Sequence, residues 1–310
     1  LNTSNAPLLL QAAAAAAGGQ HSPAGALYVV ATPIGNLADM TLRALHVLAT
    51  VDAVACEDTR HTAPLLRHFG LDKPLIALHQ HNEQQAAGTV VERLARGERV
   101  AYVSDAGTPA VSDPGAALVA AVRAAGHGVV AIPGASSAVA AVSVAGDVLG
   151  AGFQFVGFLD ARGGERAAAL RALAATRATQ VLFEAPHRIA GLCASLAAAC
   201  GARPVTLCRE LTKQFETVVT LPAAELPAWL AADANRLRGE FVLVVHALPA
   251  AAGADDNARH DPMLAVLLRE LPLKQAVALT AELSGAPKNA LYARALALKS
   301  GAAQGEAGDS

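Results

Sequence analysis

The stretch RVAYVSDAGTPAVSDPGAALVAAVRAAG, from Arg99 to Gly126, decides the fold. Residues 100–103 are an apolar run of strand length, and residues 115–126 carry helical apolar spacing. Between them stand Ser104-Asp105 and Ser112-Asp113, with Gly107, Pro109 and Pro114. That is dense turn chemistry at the point where a strand hands over to a helix.

The same order recurs along the first half. ALYVVAT, VDAVACE, PLIALH, RVAYVSD and GVVAIPG read as strands. TLRALHVLAT, TAPLLRHFG, EQQAAGTVVERLARG and GAALVAAVRAAG read as helices between them. The strands are continuously apolar, which suits strands covered on both faces. The expected architecture is therefore a doubly wound α/β domain with a parallel sheet over residues 26–135. GASSAVAAVSVAGDVLGAG changes character and predicts a bridging helix within 136–152. A second α/β domain follows over 153–247, with strands at FQFVGFL, TQVLFEA, PVTLCRE, FETVVTL and EFVLVVH and helices at RAAALRALAATR and HRIAGLCASLAAAC. ETVVT alternates and follows CRE closely, so this second sheet is expected to be mixed. Residues 248–261 read as a linker. Residues 262–299 read as a tail of two or three short helices, broken at Leu271-Pro272 and Ala286-Pro287. Residues 1–25 and 300–310 are expected to be disordered. The first segment lacks the positive start of a signal peptide, its first charged residue being Asp39.

Composition narrows the class. Of 310 residues, 53 % are hydrophobic but only 4 % aromatic, so the core must be built of Ala, Val and Leu. No apolar run long enough to span a membrane lacks charges or turn signals. The four cysteines, Cys56, Cys193, Cys200 and Cys208, have no metal-ligand spacing and read as reduced, buried thiols of a cytoplasmic protein. Net charge is −2, but residues 160–215 hold eight Lys/Arg against four acids, and 262–299 hold five against two. Such local basic surfaces can bind phosphates, and so can ordinary solvated helix faces account for them.

In open α/β sheets the ligand sits beyond the carboxyl ends of the strands. Here those ends carry Thr32–Leu37, Glu57-Asp58-Thr59-Arg60-His61, His79-Gln80-His81-Asn82-Glu83, the opening stretch, and Pro133-Gly134-Ala135-Ser136-Ser137. No G-x-G-x-x-G follows a strand and no P-loop occurs. Carboxylates and exposed backbone without a phosphate cradle suit a ligand with hydroxyls, an amine and positive charge, such as S-adenosylmethionine. His79 and His81 lack a third ligand of telling spacing, so no metal is expected. A G-x-S-x-G elbow is absent too.

Taken together, ATPIGNLADMTLRAL, ACEDTRHTAPLLRHFG, ALHQHNE, VSDAGTPAVSDPG, IPGASSAVAA, GFLDARGGER, FEAPHR, CRELTKQFET, RGEFVLVVH and LPLKQAVALTAELSGAPKNALYARAL resemble the ribosomal RNA small subunit methyltransferase I family. That family lies within the tetrapyrrole methylases. The resemblance spans about residues 27 to 298 in order, with differences at Ala31, Ala135, Asp160, Arg162 and Ala185. It implies two α/β domains with a cleft between them and a homodimer. It also implies S-adenosyl-L-methionine as cofactor, and 2′-O-methylation of a cytidine ribose in the decoding region of 16S ribosomal RNA, in the 30S subunit. Two alternatives stay open: a methyltransferase of the same superfamily acting on a tetrapyrrole or other small molecule, and a non-catalytic RNA-binding assembly factor. The first loop lacks the G-x-G-P-G-D expected of the former.

The resemblance also distributes roles. Pro33, Gly35, Asn36, Asp105, Ala106, Gly107, Thr108, Pro109, Pro133, Gly134, Ser136 and Glu184 are the expected cofactor-binding residues. Asp105 would accept hydrogen bonds from ribose or ammonium, while Asp113 reads as the cap of the next helix, with Pro114 in its first turn. Glu57, Asp58, Arg60, Glu210 and Lys213 are the catalytic candidates. His79 and His81 stand beside them as possible bases, and for each acid the alternative is an ion pair. Lys213 would act as a base only with a lowered pKa. Arg162, Arg166, Arg188, Lys288 and Arg294 are the expected RNA contacts, with Tyr292 placed to stack or to pack.

Overall fold

The computed structural model describes residues 6–79, 82–112, 114–160, 163–249 and 260–305. The chain divides into two compact units, Leu1–Ala247 and Leu248–Ser310.

In the first unit, β1 (Ala26–Val30), β2 (Ala53–Cys56), β3 (Leu75–Ala77), β4 (Val100–Val103) and β5 (Gly128–Ile132) form a parallel sheet in the order β3-β2-β4-β1-β5. Period-two alternation sends their side chains into two cores. Tyr28, Val30, Val54, Cys56, Ala101 and Val103 join α2 (Leu42–Thr50) and the end of α3 (Thr59–His68) on one face. Leu27, Ala55, Val100 and Tyr102 join α4 (Glu83–Ala95) and α5 (Ala116–Ala124) on the other. Burial on both faces is why these strands read as unbroken apolar runs. After β1 the chain crosses over one face to β2; after β4 it crosses over the other face to β5. The crossovers therefore diverge between neighbouring β1 and β4, which makes that point the topological switch.

The second sheet runs β6-β7-β10-β8-β9, from β6 (Phe153–Phe158), β7 (Thr179–Glu184), β8 (Pro204–Arg209), β9 (Thr217–Pro222) and β10 (Phe241–Val245). Only β6 and β7 pair in parallel; β10 and β9 pair antiparallel with their neighbours. One face is covered by α7 (Gly164–Ala175), α8 (Ile189–Cys200) and the short α9 (Leu226–Ala231), through Leu173, Leu192, Leu196 and Leu230. The other face receives α6 (Ser137–Ala145), through Ala138, Ala141 and Ala145, together with Ile34 from the loop after β1. The first sheet's leading loop is thus packed onto the second sheet.

Three expectations need correction. The leader, taken as disordered to residue 25, forms α1 (Ala6–Ala17). Its alanines favour helix, and their small side chains let Ala13 bury beside Leu45, Leu48 and Phe69. Asp113, the expected cap of α5, lies outside the described residues. The N-cap of α5 is Gly115 at φ +126°, where a Cβ would come within 2.3 Å of the Tyr102 ring, so only glycine fits. Glu83 Oε1 accepts the Gly115 N–H at 3.1 Å, and Pro114 lies before the helix rather than in its first turn.

The second unit holds α10 (Asp261–Glu270), α11 (Leu273–Ser284) and α12 (Lys288–Gly305) around Leu264, Val277, Leu291 and Ala295. Pro272 opens α11 and Gly285, at φ +71°, closes it. The third correction is that α12 continues to Gly305, past the expected end of order at 299. No helix among the described residues is long and apolar enough to cross a membrane.

Candidate active site

At the switch point the loops after β1 and β4 are clipped together. Thr32 N–H donates to Gly107 O at 2.9 Å, and Gly107 N–H donates to Thr32 O at 3.1 Å. Gly107 sits at φ +83°, where a Cβ would press on Ile34 Cγ2 at 3.3 Å. Thr108 Oγ1 donates to Ala135 O at 3.0 Å, which adds the loop after β5. Gly134 lies so close to Ala31 that a Cβ would meet Ala31 Cβ at 2.9 Å. Pro109 is buried beneath this turn, whereas Pro133 and Gly134 are exposed. Asn36 and Ser136 face their own backbone: Asn36 Oδ1 accepts from Ala38 N–H, and Ser136 Oγ from Val139 N–H at the start of α6.

The loop after β2 joins through charge. Asp58 is the N-cap of α3, accepting from Arg60 N–H at 2.8 Å, and its carboxylate also takes the Arg60 guanidinium at 2.6 Å. Those hydrogen bonds hold its carboxyl at about 2, so Asp58 is a cap and an ion-pair partner rather than a base. Asp58 N–H donates to Asp105 Oδ1 at 3.3 Å. The other oxygen, Asp105 Oδ2, lies 2.8 Å from Nδ1 of His61, one turn into α3. His61 remains 66 % exposed, and the Asp105 carboxylate raises its pKa. Asp58, His61 and Asp105 place their ligand atoms within 4.8 Å of one another. One of the three, Asp58, is already paired with the Arg60 guanidinium.

The second half contributes the loop after β8. Glu210 and Thr212 have φ +54° and +66°; with Ala110 at +62° they are the non-glycine residues in the left-handed region among those described. Strain of this kind, of order 1–3 kcal/mol each, gathers where surrounding contacts impose it, often at functional sites. Here the contacts are visible. Glu210 N–H donates to Glu240 O, and Glu210 Oε1 accepts from Glu240 N–H at 2.9 Å and from Lys213 Nζ at 2.9 Å. Lys213 Nζ also reaches Glu240 Oε2 at 3.1 Å. Burial raises the Glu210 carboxyl and lowers the Lys213 ammonium, but their pairing outweighs it: Glu210 lies below, and Lys213 above, its usual pKa. Lys213 is therefore held as an ammonium, not freed as a base.

Lys213 and Glu240 meet Pro33, Ile34, Gly35, Arg60, His61, His68, Asp105 and Ala106 around one cleft of about 740 Å³. Gly35 touches the Lys213 stem directly, since a Cβ there would lie 2.5 Å from Lys213 Cγ. The fold thus gathers residues separated by more than a hundred positions. His61, His68 and Glu240 were missed in the sequence. For His61 the signal was its place three residues after the capping Asp58; Glu240 gave none, because only the β8–β10 pairing brings it beside Glu210.

Other expected residues lie elsewhere. Glu184, fully buried, is paired with Arg188 at 3.0 Å and accepts from Ala185 N–H, so it braces its own loop instead of lining the cleft. Arg188 also donates to Leu159 O, which ties down a residue expected to meet RNA. Arg294 is paired with Asp261 inside the helical unit, so it too is a brace. Arg166 donates to Asp160 O at 2.9 Å from the first turn of α7, and Lys288 is exposed at the start of α12. Glu57 is half-buried after β2, and Arg162 and His81 lie outside the described residues.

A parallel sheet with its cleft at the switch point, closed by a strained loop from a second, mixed sheet, defines a two-domain α/β methylase. The tetrapyrrole (corrin/porphyrin) methylase family matches residues 26–227, and the RsmI C-terminal HTH domain matches 254–299. The chain belongs to the ribosomal RNA small subunit methyltransferase I family within the tetrapyrrole methylases. It is 48 % identical to ribosomal RNA small subunit methyltransferase I of Escherichia coli O157:H7 over 275 residues, covering 88 % of this chain and 95 % of that one. Among solved structures, uroporphyrin-III-C-methyltransferase from Thermus thermophilus shares the fold at TM-score 0.52 and 24 % identity, over 72 % of this chain and 94 % of that one. Another structure of that enzyme, complexed with S-adenosyl homocysteine, aligns at TM-score 0.50 and 19 % identity, over 71 % of this chain and 96 % of that one.

Proposed function

We propose that this protein transfers a methyl group from S-adenosyl-L-methionine to the 2′-hydroxyl of a cytidine ribose in the decoding region of 16S ribosomal RNA, in the 30S subunit. The observation that carries the reading is the single cleft in which the β1 and β4 loops meet Lys213 and Glu240. The names of the family and of its E. coli relative support the reaction and the RNA substrate. The donor set suits the cofactor: Pro33, Ile34 and Leu37 offer apolar surface, Asp105 and Glu240 offer carboxylates for an amine and hydroxyls, and the loops carry no phosphate cradle. When bound, the cofactor supplies an activated methyl on sulfur.

The chain's own contribution is placement, proton removal and charge. Holding the acceptor oxygen in line can supply roughly 7–11 kcal/mol of the barrier. The ribose proton needs an acceptor. Asp58, Glu210 and Lys213 are engaged as ion pairs, whereas His61 faces the cleft with Nδ1 fixed by Asp105. His61 Nε2 takes the proton, and the Lys213 ammonium steadies the negative charge that grows on the acceptor oxygen. A homodimer is supported by apolar residues exposed on and just after α6, Val139, Val144, Val148 and Leu149. The RNA substrate supports a cytoplasmic location.

The test is to incubate the protein with labelled S-adenosyl-L-methionine and 30S subunits or naked 16S RNA, then map ribose methylation. A single labelled cytidine 2′-oxygen is expected. Label only in tetrapyrroles, or RNA binding without transfer, sinks the reading. His61→Gln should lower kcat by about 10²-fold or more. It should also remove the rise of kcat with pH, because His61 accepts a proton only above its raised pKa.

A further inference from the structure

Behind the Glu210–Lys213 pair lies a second cavity of about 440 Å³, lined by Arg209, Glu210, Phe215, Asn235, Arg238 and Gly239. None of the expected RNA contacts falls in it. Phe215 is 69 % exposed, although the backbone on either side is firmly held. Phe215 O accepts from Arg209 Nη2 at 3.2 Å, Glu216 N–H donates to Lys213 O, and Glu216 Oε2 accepts from Thr212 N–H at 2.6 Å. The ring is thus an apolar plate facing solvent on a held stretch of backbone.

The polar groups around it have unused capacity. Arg209 Nη1 and Nη2 brace the carbonyls of Arg238 and Phe215, the two walls, while its buried Nε–H has no acceptor. A buried donor without a partner is rare enough to demand an explanation. The exposed Arg238 guanidinium makes no ion pair among the described residues, and the Asn235 amide is exposed beside it. The floor is sealed: at Gly239, φ +97°, a Cβ would lie 2.5 Å from Glu210 Cγ.

We propose that this cavity receives an unstacked nucleobase of the substrate RNA, adjacent in sequence to the nucleotide held in the methyl-transfer cleft. The inference rests on the RNA reading above. An aromatic plate, a planar amide and a free guanidinium are the set that recognises a splayed base, by stacking, edge hydrogen bonds and a phosphate contact. Glu210 lines this cavity and its ion-pair partner Lys213 lines the cleft, so neighbouring nucleotides would occupy neighbouring sites. A base seated here would fix the register of the strand and hence which ribose meets the methyl.

The experiment compares wild type with Phe215→Ala, Phe215→Trp and Arg238→Ala on 30S subunits, with cofactor affinity measured by calorimetry. Because Phe215 and Arg238 are exposed, the melting temperature should not move. Phe215→Ala should raise KM for RNA by about 10- to 100-fold, the range of one lost stacking contact, with kcat and cofactor affinity unchanged. Phe215→Trp should restore it. Arg238→Ala should raise KM and flatten its salt dependence. A short target RNA carrying 2-aminopurine beside the target nucleotide should change its fluorescence on binding wild type, as the base leaves its strand neighbours, and not on binding Phe215→Ala. If Phe215→Ala methylates with wild-type KM and changes 2-aminopurine emission equally, the base pocket is overturned while the function stands. If wild type methylates no RNA, both fall.

Discussion

Replacing Gly35 with alanine tests how the two halves of the cleft are joined. Gly35 does not occupy the left-handed region, so alanine adds no backbone strain there. The added Cβ would lie 2.5 Å from Lys213 Cγ, 2.8 Å from Cε and 3.1 Å from Thr212 Oγ1. Carbon atoms rest at about 3.5–4.0 Å, so the lysine stem must retreat by roughly 1 Å. Its Nζ now sits 2.9 Å from Glu210 and 3.1 Å from Glu240, and that retreat breaks both contacts. Glu240 is 77 % exposed and its share is small. The Glu210 contact is partly buried and charged, and its loss costs about 1.5–3 kcal/mol. Against this, alanine restricts the unfolded chain and returns about 0.4–1 kcal/mol. The net is a destabilisation of about 1–2 kcal/mol, a fall of a few degrees in Tm, with activity reduced by about tenfold or more. The decisive assay is a double-mutant cycle on Tm and kcat/KM with Lys213→Ala. Once the stem is gone, Gly35→Ala should no longer destabilise. If the two changes are simply additive, the proposed clash is not what Gly35 avoids.

Gly115→Ala should be far more damaging, costing about 3 kcal/mol or more, because it combines positive φ with a Cβ 2.3 Å from the Tyr102 ring; a Tm within two or three degrees of wild type would refute this. Burial pushes the thiols of Cys193 and Cys208 up to about 12, so alkylation of the native protein at pH 8 should label half-buried Cys200 first and leave those two intact until unfolding, as mass spectrometry can read. Asp58 has a folded-state pKa below its unfolded value, so the Asp58–Arg60 contribution is present above about pH 4 and is lost as pH falls toward 2. In acid titration Asp58→Asn should therefore show a shallower loss of stability than wild type over that window. In the helical unit, Lys288→Ala should weaken RNA binding and its salt dependence with Tm unchanged, whereas Arg294→Ala should lower Tm by releasing Asp261.

Much of this was legible in the residues. Continuous apolar strands separated by helix-length segments predict a sheet covered on both faces, and the two cores on either side of Val100–Val103 are that prediction in three dimensions. The alternation of ETVVT foretold the antiparallel β8–β9 pair. Local capping was harder, since a carboxylate before a helix reads equally as a base or a cap. Asp58 is the cap of α3, and the N-cap of α5 is Gly115, where the Tyr102 ring leaves no room for a side chain. The alanine-rich leader looked like a low-complexity tail, yet burial against α2 makes it a helix.

The sequence by itself determined the order of strands and helices, the loops that reach the rim, and the family, because periodicity and turn chemistry are local properties. Only the tertiary structure decided which charges are partners. Glu240 meets Lys213, His61 meets Asp105, and Glu184 withdraws with Arg188, since ion pairing depends on distances of a few ångströms between residues that strand pairing and loop contacts bring together.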